Sequence, residues 1–214
     1  PMKTYPVMLN VEGRLAVVVG GGPVGLRKVH SLLQAAARVR LVAPRLDGDD
    51  PEGAEVIHAP YDASHLDGAF IVFACTDDRE LNSRIARDAR SAGAWVNAAD
   101  QPEDCDFFVP AVVSQGPVQI AIGTGGSSPA LAASLKDSIA SALPEGVGAY
   151  AQALADLRER LQATVTDTRL RCSVLRRLVE QDGYETFRSG GAAALSRLAD
   201  KLLKEQGASG SGQG

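Results

Sequence analysis

The 214-residue chain is 45% hydrophobic and 22% charged, a balance that supports a packed core and argues against disorder. Its net charge of −4 speaks against a nucleic-acid ligand. No run of roughly eighteen apolar residues suits a membrane span, and Pro1-Met2-Lys3-Thr4-Tyr5 lacks the apolar core of a signal peptide. The expectation is a cytoplasmic protein of one domain plus a smaller one. Its three cysteines, Cys75, Cys105 and Cys172, lie far apart without a CxxC or Cys/His spacing, so neither a disulfide framework nor a metal site is expected.

The first predicted element is a strand at Leu15–Val19. It runs straight into Gly20-Gly21-Gly22-Pro23-Val24-Gly25, and a helical pattern over Val24–Ala36 follows. A Gly-x-Gly-x-x-Gly turn between strand and helix is the context in which the motif means dinucleotide binding. Gly20 permits the tight turn, Gly22 keeps side chains away from a pyrophosphate, and Gly25 lets the helix approach the strand. The N–H groups of the helix start then favour phosphate. Arg27-Lys28 could meet an anion, although basic residues on a helix more often face water.

Further strands are expected at Val39–Ala43, Glu55–His58, Phe70–Ala74 and Trp95–Asn97, with a helix at Asp78–Ala92 capped by Asp77 or Asp78. This alternation predicts βαβ units and a parallel sheet. An acid about 20 residues past the glycines usually holds the ribose of NAD. Here the second strand ends Val42-Ala43-Pro44-Arg45, and Arg45 would suit a 2′-phosphate, so NAD against NADP is open on the residues alone. Asn97-Ala98-Ala99-Asp100 follows the last parallel strand, at the sheet edge where such folds bind ligands. Asp100 could accept a proton, hold a substrate N–H or a metal, or simply cap a turn.

Beyond Asp100 the pattern changes. Phe107–Val113 and Pro117–Ile122 read as a hairpin joined by Ser114-Gln115-Gly116. Gly123-Thr124-Gly125-Gly126-Ser127-Ser128-Pro129 then opens a helix reaching about Ala142. Ser127 or Ser128 is its expected cap, and the extra glycines suit a nest of N–H groups for a carboxylate or phosphate. From Gly148 to Glu205 the chain is helical in character, with breaks near 166–168, 182–183 and 189–191, and carries a basic excess. His30, His58 and His65 form no metal-like cluster. The organisation expected is an α/β fold: a Rossmann-type parallel-sheet domain over 1–112, a small α+β dimerisation and substrate region over 113–147, a helical domain over 148–206, and a flexible Gly/Ser tail over 207–214.

Taken together, Tyr5-Pro6-Val7-Met8-Leu9, Gly20–Lys28, Ala74-Cys75-Thr76-Asp77-Asp78 with Asn82, Val96–Asp100, Phe107–Ala111 and Gly125–Pro129 resemble the precorrin-2 dehydrogenase/sirohydrochlorin ferrochelatase family. That family includes the N-terminal module of bacterial siroheme synthase, and the resemblance runs unbroken over about residues 5–143. It implies NAD-dependent oxidation of precorrin-2 to sirohydrochlorin by a homodimer; some members also insert ferrous iron and others only dehydrogenate. It also implies a role for Asp100 as the essential aspartate of catalysis. The cofactor-binding residues it implies are Gly20, Gly22, Pro23, Val24, Gly25, Pro44, Arg45 and Thr76. The substrate-binding residues are Thr124, Gly125, Gly126, Ser127 and Ser128, with Thr124 at a position that is a phosphorylatable serine in one branch. The chain departs from the family at Gly123-Thr124 and at Ala35-Ala36-Ala37, where a Gly-Ala turn is common. No methyltransferase module follows, so a stand-alone enzyme is expected. Two other readings stay in view: a non-enzymatic dinucleotide-sensing module, and a dehydrogenase of another small acid. A sensor has no need of Asp100 with Gly123–Pro129, and the other dehydrogenase would be expected to show a His or Lys at a strand end.

Overall fold

The computed structural model describes residues 3–180 and 182–210, the last five as backbone only. It divides into two compact units, one over Tyr5–Val109 and one from Pro110 onward.

In the first unit, β1 (Leu15–Val19) is buried along its whole length because it lies at the centre of a five-stranded parallel sheet. Strands buried on both faces read as continuous apolar runs, which is why Leu-Ala-Val-Val-Val marks it so clearly. Its neighbours are β2 (Arg38–Val42), β3 (Ala54–Ile57), β4 (Ile71–Ala74) and β5 (Trp95–Ala98), in the order β3-β2-β1-β4-β5. Side chains alternate across β1. Ala16 and Val18 pack with Val29 and Leu32 of α1 (Pro23–Gln34). Leu15, Val17 and Val19 pack with Ile85, Ala86 and Ala89 of α2 (Arg79–Ser91). One helix therefore covers each face, the doubly wound arrangement the alternation predicts. From β1 the chain winds outward through β2 and β3, then returns to the other side of β1 as β4. The strand order thus reverses between β1 and β4, where such sheets bind their ligands.

The second unit begins with the hairpin β6 (Ala111–Gln115) and β7 (Val118–Ile122). β6 starts at Ala111, four residues later than the expected Phe107, and runs two residues further than expected, through Ser114 and Gln115. The connection is the pair Gly116-Pro117, with Gly116 at φ +56, the residue order a II′ turn asks for. Four helices follow: α3 (Pro129–Ala142), α4 (Val147–Thr164), α5 (Thr168–Glu180) and α6 (Gly183–Gly210). Tyr150, Leu157, Leu161, Val174, Leu178, Leu195 and Leu202 form the core of α4–α6. Gly148 is where α4 meets the hairpin, since a Cβ there would stand 2.2 Å from the Gln115 carbonyl oxygen. The expected break at 189–191 is a kink inside α6, with Gly191 at φ +63 and ψ −164. The helix then runs to Gly210, so residues 207–210, expected in the tail, continue it. Extension adds one bond per residue once a helix exists, and no proline stops it here. Residues 211–214 lie outside those described.

Candidate active site

The glycine turn leaves β1 at the sheet's carboxyl edge. Gly20 has φ +122, and a Cβ on it would stand 2.3 Å from the Cys75 carbonyl oxygen, so only glycine lets the ends of β1 and β4 approach here. A Cβ on Gly25 would stand 2.0 Å from the Gly20 carbonyl oxygen, which seats α1 against the turn. Gly22 differs. A Cβ there would meet no protein atom within 4 Å, so packing inside the chain does not require a glycine at this position. Gly22 is also the N-cap of α1, with extended backbone and no side-chain cap, and Pro23 takes the first helical position. The helix start is therefore bare backbone, which fits a pyrophosphate.

Pro44 and Arg45 follow β2 and are exposed. Their loop packs on the glycine turn: Asp47 N–H donates to the Gly21 carbonyl at 2.9 Å, and a Cβ on Gly21 would stand 2.2 Å from the Arg45 carbonyl oxygen. At the end of β4, burial pushes the Cys75 thiol up to about 11. Beside it, Lys28 of α1 is half-buried with its ammonium 5.5 Å from the centre of the Phe73 ring. Burial lowers its pKa, Cys75 works against that shift and Arg27 adds to it. Thr76, expected among the cofactor contacts, is bound into the turn. Its hydroxyl donates to Asn82 Oδ1 at 2.7 Å, its N–H donates to the same oxygen at 3.1 Å, and Asn82 Nδ2 donates to its carbonyl at 3.0 Å. Asp78, rather than Asp77, caps α2 by accepting from Glu80 and Leu81 N–H.

Asp100 stands exposed just past β5 with φ +57, in the left-handed region that non-glycine residues rarely occupy. The turn around it is held from below. Cys105 Sγ lies 3.2 Å from both Ala98 N and Ala98 O and 3.3 Å from Gln101 O. Gln101 is 3% exposed, and its amide nitrogen reaches Ser83 Oγ at 2.8 Å, Asp104 Oδ2 at 3.1 Å and the Arg79 carbonyl at 3.2 Å. Ser83 in turn donates to Asp104 Oδ2 at 2.5 Å. The sequence gives only a weak signal for this clamp, a glutamine among acids ahead of Pro102, because its burial depends on α2.

The glycine turn, Pro44-Arg45, Cys75-Thr76 and Asp100 thus follow the carboxyl ends of β1, β2, β4 and β5 of one sheet. The Gly123–Pro129 loop belongs to the second unit. There Gly125 (φ +60) and Gly126 (φ +77) are consecutive left-handed residues. Thr124 Oγ1 donates to the Ser128 carbonyl at 3.2 Å, and Ser128, not Ser127, is the N-cap of α3, accepting from Leu131 N–H at 3.1 Å. Among the described residues no group of three His, Cys, Asp or Glu could hold a metal ion, and no helix is long and apolar enough to cross a membrane.

A family model for NAD(P)-binding matches residues 7–111, and the sirohaem biosynthesis protein central model matches residues 115–142. The siroheme synthase of Thioalkalivibrio sulfidiphilus is 37% identical over 211 residues, 95% of this chain. The chain is thus similar to siroheme synthases over nearly its whole length. It spans less than half the length of the curated relatives it matches, covering 42% of the T. sulfidiphilus protein. The siroheme synthase of Nitrosococcus oceani is 36% identical over 175 residues, 79% of this chain and 37% of that protein. Among solved structures, SirC, precorrin-2 dehydrogenase, aligns with a TM-score of 0.71 at 23% identity, over 94% of this chain and all of that one, and so shares the fold. The matched models cover the sheet and its glycine turn, then β7, the Gly123–Pro129 loop and α3. The match to the NAD(P)-binding model over the sheet and its glycine turn supports a nicotinamide dinucleotide as the ligand of the sheet domain.

Proposed function

We propose that the chain carries out the NAD-dependent oxidation of precorrin-2 to sirohydrochlorin. The observation that carries this reading is that the glycine turn and Asp100 follow the carboxyl ends of β1 and β5, two strands of one sheet separated by β4 alone. The reaction removes a hydride and a proton from the tetrapyrrole. The nicotinamide, when bound, supplies the hydride acceptor. The backbone of Gly20–Gly25 with Pro23 and Val24, and the loop of Pro44 and Arg45, would hold its dinucleotide, with Thr76 bracing the floor beside them. Asp100, exposed and carried on a fixed turn, would take the proton. The substrate's eight carboxylates call for N–H groups and hydroxyls, which Thr124, Gly125, Gly126, Ser127 and Ser128 offer at the start of α3.

NAD is preferred over NADP by likeness to the family, with exposed Arg45 the feature that argues the other way. A homodimer formed through about residues 108–145 is part of the same reading. The hairpin buries Val113 but leaves Val112 exposed; α3 buries Ala132 and exposes Leu131 and Leu135. A two-stranded hairpin is marginal alone and gains from such a partner. The setting proposed is the cytoplasm. In members that also insert ferrous iron the metal is a substrate, and Asp100 would serve again as acceptor of the pyrrole protons.

Incubation of the protein with precorrin-2 and either NAD or NADP, followed by absorbance, tests the reading. Sirohydrochlorin should form faster with NAD, and ferrous iron added afterwards reports any chelation. No oxidation with either cofactor would refute it.

A further inference from the structure

We infer that Gln101 is the positioning residue of the proposed proton acceptor: its buried amide holds Asp100 in the left-handed conformation that aims the carboxylate. This inference rests on the reading of Asp100 given above.

The observations lie within the sheet domain. A non-glycine residue at positive φ is strained and persists only where its surroundings impose it. Asp100, at φ +57, cannot impose that conformation through packing of its own, because it is exposed. Its successor is the opposite case. Gln101 is 3% exposed, and its amide nitrogen sits among three acceptors, the Ser83 hydroxyl, the Asp104 carboxylate and the Arg79 carbonyl. Two of these belong to α2, so the side chain fastens the turn after β5 onto the neighbouring helix. Its Oε1 has no partner among the described residues, so the bonds that hold it run through the nitrogen. On the other side Cys105 Sγ holds Ala98, two residues before Asp100. The strained residue is thus suspended between two fixed points, and Gln101 is the one that follows it directly.

α2 gives the anchor its stiffness. The Asn82 bonds to Thr76 fix the first turn of α2 to the end of β4, next to the dinucleotide turn. Through Gln101 the proton acceptor is referred to the same frame as the cofactor cradle. Displacing a reacting group by about 1 Å can cost on the order of 100-fold in rate, so the anchor bears on turnover more than on binding.

The test is a double-mutant cycle with Gln101→Met, which keeps length and volume but removes the donated bonds, in the natural chain and in Asp100→Asn. Rates of precorrin-2 oxidation are read in single turnovers, NAD affinity by calorimetry, and the backbone at Asp100 by a crystal structure of Gln101→Met. We expect kcat to fall roughly 10- to 100-fold in the natural chain, to change less than about twofold in the Asp100→Asn background, and NAD affinity to stay unchanged. Asp100 should leave the left-handed region in the variant's structure. An equal loss in both backgrounds, or an unchanged kcat, would mean that Gln101 only stabilises the fold and would overturn the inference. If the natural protein itself fails to oxidise precorrin-2, the functional reading fails; the variant's structure still decides the positioning, and Asp100 remaining near φ +57 overturns it.

Discussion

Gly22 and Asp100 divide the proposed work of the site between binding and proton transfer, and each can be removed without the other. A side chain at Gly22 would meet no protein atom within 4 Å, so Gly22→Val should leave the fold intact. Its β-branched side chain would instead intrude where the pyrophosphate approaches the backbone. Calorimetry should show NAD binding lost in a protein with an unchanged melting temperature; retained affinity would move the dinucleotide away from this turn. Cys75 makes a prediction about pH. Burial raises its folded pKa to about 11 from 9.0, so the folded state keeps a proton that the unfolded chain gives up. This contribution is fully present below pH 9 and is lost as pH rises through about 11, amounting to about 3 kcal/mol. Lys28, whose pKa is lowered, acts in the opposite sense over alkaline pH, so the variant comparison is what isolates the thiol. Urea unfolding should show Cys75→Ala losing less stability than the natural chain across that interval. Parallel pH profiles would contradict the assignment.

At the level of elements, α1 ends on an unusual residue. Ala36 lies at φ +57 just past the helix, where glycine is favoured because it lacks the Cβ that crowds this conformation. Ala36→Gly should therefore stabilise the protein by about 0.5–1 kcal/mol, read as a higher urea midpoint; a loss of stability would show that unfolded-chain entropy outweighs the relief. The departure was visible in the sequence as Ala35-Ala36-Ala37, but its strain was not, since three alanines read equally well as more helix. The same contrast runs through the fold. β1 and α1 were legible because burial on both faces gives an apolar run and the glycines end it. The second strand of the hairpin was placed to within a residue, but the first begins at Ala111 rather than Phe107, and the loop was misplaced: Ser114 and Gln115 are polar because they lie on exposed or half-buried strand positions, and polarity alone reads as a turn. Asp100 and the glycines of the site were legible as strand-end residues. Gln101 was not, because nothing in Asp100-Gln101-Pro102 says that the amide will be covered by α2.

For the whole molecule, the exposed apolar residues of β6 and α3 make assembly the matter to measure. Light scattering at micromolar concentration should give twice the mass of the chain, and replacing Leu131 and Leu135 together by Ser should shift it toward monomer; a natural chain that is already monomeric would remove the proposed interface. The account as a whole stands on Asp100 as the proton acceptor of a dehydrogenase. Its most direct test is precorrin-2 oxidation by Asp100→Asn beside the natural chain, with NAD binding measured on both. Asparagine keeps the shape and tolerates the left-handed backbone, but it cannot take up the proton. The rate should fall by roughly 10²–10⁴-fold while NAD binds as before. Turnover by Asp100→Asn at close to the natural rate across neutral pH would contradict the account.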